Sequence, residues 1–148
     1  MGEIRILSFK EADLDRIMEI ENVSFASPWT RQCYLDLSPL ETISFFVVKD
    51  GEELVGYMLY QVWEEEMELH TIAVDPERRR QGIARKMIAF MKEDATARAV
   101  ERIFLQVRPS NEAARSLYQS FGFNVIGVRR GYYRDNLEDA FVMRLDMA

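Results

Sequence analysis

Residues 67–74 read as a strand that stops at Asp75-Pro76, and residues 82–97 read as a helix with Ile83, Met87, Ile88, Met91 and Ala95 on one inward face. A strand that passes through a short charged loop into an amphipathic helix lays that helix back across a sheet, which excludes all-helical and all-β folds. The rest of the chain supplies the sheet. Residues 3–7 read as a short strand, and Ser8 with Glu11 has the spacing of a capping box opening a helix with Leu14, Ile17 and Met18 on one stripe. Residues 22–29 read as a loop, with Ser27-Pro28 as cap and first-turn proline of a second helix to about Leu37. Residues 42–49 and 54–63 flank the hairpin signal Asp50-Gly51. Glu68, His70, Ile72 and Val74 are expected to share one face of the next strand. Residues 102–108 read as a strand ended by Pro109, and Ser110 as the cap of a helix with Ala114, Leu117, Tyr118 and Phe121 on its stripe. Residues 123–130 and 139–146 complete a final strand pair. The order β-α-α-β-β-β-α-β-α-β-β predicts an α/β fold, a mixed and mostly antiparallel sheet flanked by helices, formed as one domain over residues 1–148.

Composition narrows the chemistry. The 148 residues carry a net charge of −6, which argues against a nucleic-acid or anionic-membrane binder. Residues 1–20 are charged throughout and give no signal-peptide pattern, and no apolar stretch approaches the roughly 20 residues of a membrane span. The single cysteine, Cys33, excludes an internal disulfide and fits a reducing, cytoplasmic compartment. The single histidine, His70, leaves no multi-histidine or cysteine-rich zinc site, so no metal is expected. The chemistry is left to carboxylates, tyrosine, amides and backbone.

Within that acidic chain, residues 75–86 carry five basic side chains against Asp75 and Glu77. The first turn of a helix presents unpaired N–H groups and a partial positive charge, which together suit phosphate. Gly82 leaves room for close backbone approach, and Ala84 keeps the next facing position small. The island is too compact for a long nucleic acid and fits a small polyanion. A second half faces the same crevice: a strand, a helix with Asn111 at its start, and Tyr118 two turns on.

On these residues the chain resembles the GNAT superfamily of N-acetyltransferases over essentially its whole length. Arg79-x-x-Gly82-x-Ala84 is similar to the superfamily's Gln/Arg-x-x-Gly-x-Gly/Ala loop. More narrowly, Phe25-Ala26-Ser27-Pro28-Trp29, Thr71-Ile72-Ala73-Val74-Asp75-Pro76, Val107-Arg108-Pro109-Ser110-Asn111, Arg129-Arg130-Gly131-Tyr132-Tyr133 and Glu138-Asp139-Ala140 resemble the RimI-like, N-terminal-acetyltransferase branch. The resemblance implies a GNAT fold and acetyl-CoA as cosubstrate. It implies that Ile72, Ala73 and Val74 pair their backbone with the pantetheine arm. Arg79 and the segment Arg80, Gln81, Gly82, Ile83, Ala84, Arg85 would hold the diphosphate, and Asn111 the cofactor arm. Tyr118 would be the general acid toward the departing thiolate.

One position departs from the branch. Where RimI-like chains carry a Glu as proton acceptor, this chain has Gln106, which accepts no proton at neutral pH and is left with ordering a water. Glu68 is the nearest replacement by pattern. Deprotonating lysine costs about 3–4 kcal/mol more than deprotonating an α-amine at neutral pH, so a site without a strong fixed base matches N-termini. A substrate groove is expected between Phe25, Pro28 and Trp29 on one side and Tyr132 and Tyr133 on the other. The implied target is a protein N-terminus, the N-terminal alanine of a small-subunit ribosomal protein. The alternatives are a GNAT acting on lysine or a small amine, and a CoA-binding regulatory module with weak turnover.

Overall fold

The computed structural model describes residues 3–147. Seven strands, β1 (Ile4–Ser8), β2 (Ile43–Asp50), β3 (Glu53–Trp63), β4 (Glu66–Val74), β5 (Arg102–Val107), β6 (Asn124–Arg129) and β7 (Ala140–Asp146), form one sheet in the order β1-β2-β3-β4-β5-β7-β6. Every neighbouring pair is antiparallel except β4 and β5. Four α-helices, α1 (Leu14–Ser24), α2 (Arg31–Leu37), α3 (Ile83–Ala97) and α4 (Glu112–Ser120), complete the expected order.

The two faces of the sheet bury separate cores. On one, Ile83, Met87, Ile88, Met91 and Ala95 of α3 and Tyr118 of α4 pack with Met67, Leu69 and Val74 of β4. On the other, Leu14, Ile17 and Ile20 of α1 and Tyr34 of α2 pack with Phe45, Val47, Tyr57 and Ala73. Apolar residues on both sides of β2, β3 and β4 explain why these strands read as near-continuous hydrophobic runs.

Three local expectations are corrected. Ser8 pairs with Phe46 in the β1–β2 ladder, so it cannot cap α1; the turn begins at Lys10, whose backbone N–H donates to Asp13 Oδ2 at 2.9 Å. Thr30, not Ser27-Pro28, caps α2, its Oγ1 accepting from the Cys33 N–H at 3.2 Å. Asn111, not Ser110, caps α4, its Oδ1 accepting from the Ala114 N–H at 3.2 Å.

The register of β4 positions the site. On its β3 side Leu59 pairs with Thr71 and Tyr60 with Leu69, leaving His70 as an extra residue. Such a bulge reverses the alternation. Ile72 and Val74 therefore turn to the α3–α4 core while Glu68 faces away from it, so the four residues do not share a face. On its other side β4 pairs with β5 only from Glu66 to Leu69. Among the described residues no strand covers that edge beyond Leu69, and the sheet opens into a wedge.

Candidate active site

Two cavities flank the wedge. The first, of about 200 Å³, is lined by Val74, Arg78, Arg79, Arg80, Gly82, Ile83, Ala84, Arg85 and Leu117. Gly82 precedes α3 in the left-handed region at φ +78°, and Arg80 also has a positive φ of +65°. These turns aim the start of α3 into the cavity. No side chain caps it, and its first turn holds no acidic residue. Uncapped N–H groups beside exposed Arg79, Arg80 and Arg85 make an anion site. Arg78 is not among its free cations, because it is bonded to Asp50 and reaches Glu53 at 3.1 Å, tying the loop to the β2–β3 hairpin. Gln81 is exposed and accepts from Arg78 Nε at 3.2 Å.

The backbone of Ile72, Ala73 and Val74 pairs with Met58, Tyr57 and Gly56 on one edge and is uncovered on the other, as an added extended ligand requires. The residues present therefore fit a diphosphate carried on an extended arm. Asn111 is half committed, since its side-chain oxygen serves α4.

The second cavity, of about 300 Å³, is lined by Ser27, Trp29, Glu68, Leu69, His70, Gln106, Tyr132 and Tyr133. It brings together Trp29, Glu68, Gln106 and both loop tyrosines. Phe25 and Pro28 are not on its wall: Phe25 packs against the α1–α2 core, and Pro28 is exposed. Gln106 Oε1 is buried with no hydrogen-bond partner among the described residues, an acceptor left open.

Tyr118 lines neither cavity and is buried in the α3–α4 core. It is 6% exposed, its ring meets Phe123 edge-on at 5.8 Å, and its neighbour Leu117 lines the first cavity. Burial pushes its phenol up, and Tyr133 of the second cavity adds to the shift. It stays an O–H donor throughout the neutral range.

Two supports were not read from the sequence. Glu21 of α1 is 2% exposed and accepts from Tyr34 Oη at 2.6 Å, Tyr57 Oη at 2.5 Å and the Trp29 N–H at 2.8 Å. Among the described residues no basic side chain pairs with it, so three neutral donors hold the carboxylate and, through Trp29, one wall of the second cavity. The signal was a Glu seven residues after Leu14 on an apolar stripe. Glu21→Ala is expected to cost about 2–4 kcal/mol, because three buried donors lose their acceptor. Thermal unfolding checks it, and a loss under about 0.5 kcal/mol would contradict the role.

The opposite wall hangs on Arg108. Its guanidinium lies 3.9 Å over the Tyr133 ring and bonds to Asp135 at 2.8 Å, Asn136 at 3.1 Å and Glu138 at 3.2 Å. The Ser110 N–H and hydroxyl donate to the Glu138 carboxylate at 2.8 and 3.0 Å. Arg108 holds the Asp135 carboxyl below its usual range; Ser110, and then Arg108, do the same for Glu138. A carboxylate lowered in the fold stabilises above its ordinary titration range and is lost as pH falls through the depressed value. The loop carrying Tyr132 and Tyr133 should therefore detach in acid below about pH 4, before the sheet unfolds. An amide NMR titration of residues 131–138 checks it, and Arg108→Ala should reproduce the detached spectrum at neutral pH.

Among the described residues no group of three or more His, Cys, Asp or Glu side chains is placed to hold a metal ion. No described helix is long and apolar enough to cross a membrane.

Over 145 residues the chain is 34% identical to the [ribosomal protein bS18]-alanine N-acetyltransferase of Escherichia coli K12, covering 97% of each chain. It is 34% identical over 149 residues to the N-alpha-acetyltransferase RimI of Mycobacterium tuberculosis, covering 97% of this chain and 92% of that one. The crystal structure of the ribosomal-protein-S18-alanine N-acetyltransferase from Escherichia coli superposes with a TM-score of 0.92 at 33% identity, covering 99% of this chain and 95% of that one. The model of the acetyltransferase (GNAT) family matches residues 14–123. With the uncapped helix start, the opened β4–β5 wedge and these likenesses together, the chain belongs to the GNAT acetyltransferase family, in its RimI-like branch, and is an acetyltransferase.

Proposed function

We propose that the chain, acting as one domain over residues 1–148, is a cytoplasmic N-terminal protein acetyltransferase whose target is the N-terminal alanine of a small-subunit ribosomal protein. The observation that carries this is the uncovered β4 edge, with an arginine-rich helix start at one end and an acidic, aromatic-walled cavity at the other. Acetyl-CoA, the family's cosubstrate, supplies an acyl group activated as a thioester. Arg79, Arg80, Gln81, Gly82, Ile83, Ala84 and Arg85 hold its diphosphate, mainly through backbone N–H groups. Ile72, Ala73 and Val74 lie along the arm, with Asn111 beside it. Backbone N–H groups of the free β4 edge polarise the acyl oxygen without reorganising. Trp29, Tyr132 and Tyr133 grip the peptide, Glu68 attracts the α-ammonium, and Tyr118 donates toward the leaving sulfur. Gln106 offers its open Oε1 to the amine or to a water beside it.

The test is thiol release from acetyl-CoA with peptides that differ at residue one, alongside N-terminally blocked, lysine-bearing controls. Turnover on free N-termini, alanine foremost, supports the reading. Turnover on blocked peptides alone assigns a lysine acetyltransferase instead. Tight acetyl-CoA binding without turnover on any amine makes the chain a regulatory module.

A further inference from the structure

The chain's only histidine sits at the β4 bulge, on the wall of the acidic cavity. Its orientation is set by a polar relay from Gln61 on the neighbouring β3 and Thr42 just before β2. Gln61 donates through Nε2 to Thr42 Oγ1 at 2.8 Å, which turns its Oε1 toward His70 Nε2, also at 2.8 Å. A carbonyl oxygen only accepts, so Nε2 carries the hydrogen and Nδ1 of the neutral ring keeps its lone pair. Nδ1 lies 3.8 Å from Glu68 Oε2, too far for a direct hydrogen bond and near enough for a positive ring to feel the carboxylate. Trp63 meets the imidazole edge-on at 6.4 Å and supports the ring. The groups around it are few. From β3 comes neutral Gln61, from β5 neutral Gln106, and from the β6–β7 loop the phenols of Tyr132 and Tyr133; among the described residues on the cavity wall, Glu68 is the one carboxylate and no Lys or Arg is present.

We propose that His70 Nδ1 accepts the proton of the incoming α-ammonium, with Gln61 and Thr42 as positioning residues and Glu68 stabilising the imidazolium. The assignment rests on the N-terminal acetyltransferase reading. One ammonium N–H bond breaks and its electron pair stays on nitrogen, where it becomes the nucleophile. The proton forms an Nδ1–H bond and later leaves to solvent. The second amine proton, shed as the amide forms, balances the one that Tyr118 gives to sulfur. To any given acceptor, an α-ammonium gives up its proton roughly 300-fold more readily than a lysine ammonium, so a side-chain base of modest strength serves the first amine better than the second. His70 also supplies what the departure at Gln106 removes.

Histidine-selective 15N labelling observes this one ring without assignment. The expected spectrum is the Nε2–H tautomer, with a titration midpoint that coincides with the acid limb of kcat on a free-amine peptide. His70→Gln should lower kcat by about 10²–10⁴-fold and remove that limb, with acetyl-CoA affinity by calorimetry unchanged. Glu68→Gln should move the NMR midpoint and the limb together to lower pH, because the imidazolium loses its counter-charge. An Nδ1–H tautomer, or a limb that persists unshifted in His70→Gln while free N-termini are still acetylated, overturns the role of His70 and leaves the N-terminal reading standing. A wild-type enzyme that acetylates only blocked, lysine-bearing peptides overturns that reading, and this assignment with it.

Discussion

Tyr118→Phe is expected to lower kcat by about 10²–10³-fold and to leave acetyl-CoA affinity within a factor of about two. The substitution keeps the ring and its edge-on contact with Phe123 and removes only the hydroxyl, so neither α4 nor the first cavity is disturbed. Burial and Tyr133 both keep the proton on the phenol. That same shift limits what the hydroxyl does. A thiol titrates near 8.5 and an unperturbed phenol near 10, so full transfer to the sulfur is uphill by at least about 2 kcal/mol. In the proposed mechanism Tyr118 would work first as a hydrogen-bond donor to charge gathering on sulfur, and the proton would move across only as the amide nitrogen sheds its own. No alkaline loss of activity from Tyr118 is expected below about pH 10. Thiol release measured under saturating peptide reads kcat, and calorimetry reads affinity. Wild-type turnover in the variant would remove Tyr118 from the mechanism.

What the residues disclosed and what they withheld divide along the range of the interactions. Strand and helix order was legible because each element carries its own period, as in the α3 stripe from Ile83 to Ala95. Most of the first cavity was legible because a single stretch, from Val74 to Arg85, supplies its lining apart from Leu117. Features fixed by pairing partners were not. Ser8 matches a capping box locally, and only the ladder with Phe46 withdraws it. Strict alternation puts Glu68 and Ile72 on one face, and only the register against β3 shows the extra residue at His70. The same limit hid the Arg108 clamp, whose partners lie 27 to 30 residues away, and the Glu21 acceptor, whose tyrosines lie 13 and 36 away. Phe25 illustrates the converse. Its motif pointed to the groove, yet its apolar ring packs, partly buried, against the α1–α2 core, where burial of apolar area stabilises it.

Gly82→Val is expected to weaken acetyl-CoA binding at least about 100-fold, roughly 2.7 kcal/mol. Two effects combine, and a second substitution separates them. At φ +78° a β-branched residue is strained by about 1–2 kcal/mol, which the loop can relieve only by rotating the first-turn N–H groups of α3 away from their common focus. A Cβ built at Gly82 meets no atom within 4 Å, so protein packing does not oppose the side chain. Gly82 lines the first cavity, so a side chain there adjoins the space proposed for the diphosphate. Asn tolerates positive φ, so Gly82→Asn should leave the melting temperature close to wild type and still lose affinity, by occupying that space. Valine should lose both. Calorimetry with acetyl-CoA and thermal unfolding of the two variants distinguish the cases: binding lost in both, with stability lost only in valine, means the cavity is where the diphosphate sits. Wild-type affinity in both variants would move the cofactor site away from the start of α3, and the role of the uncovered β4 edge would go with it.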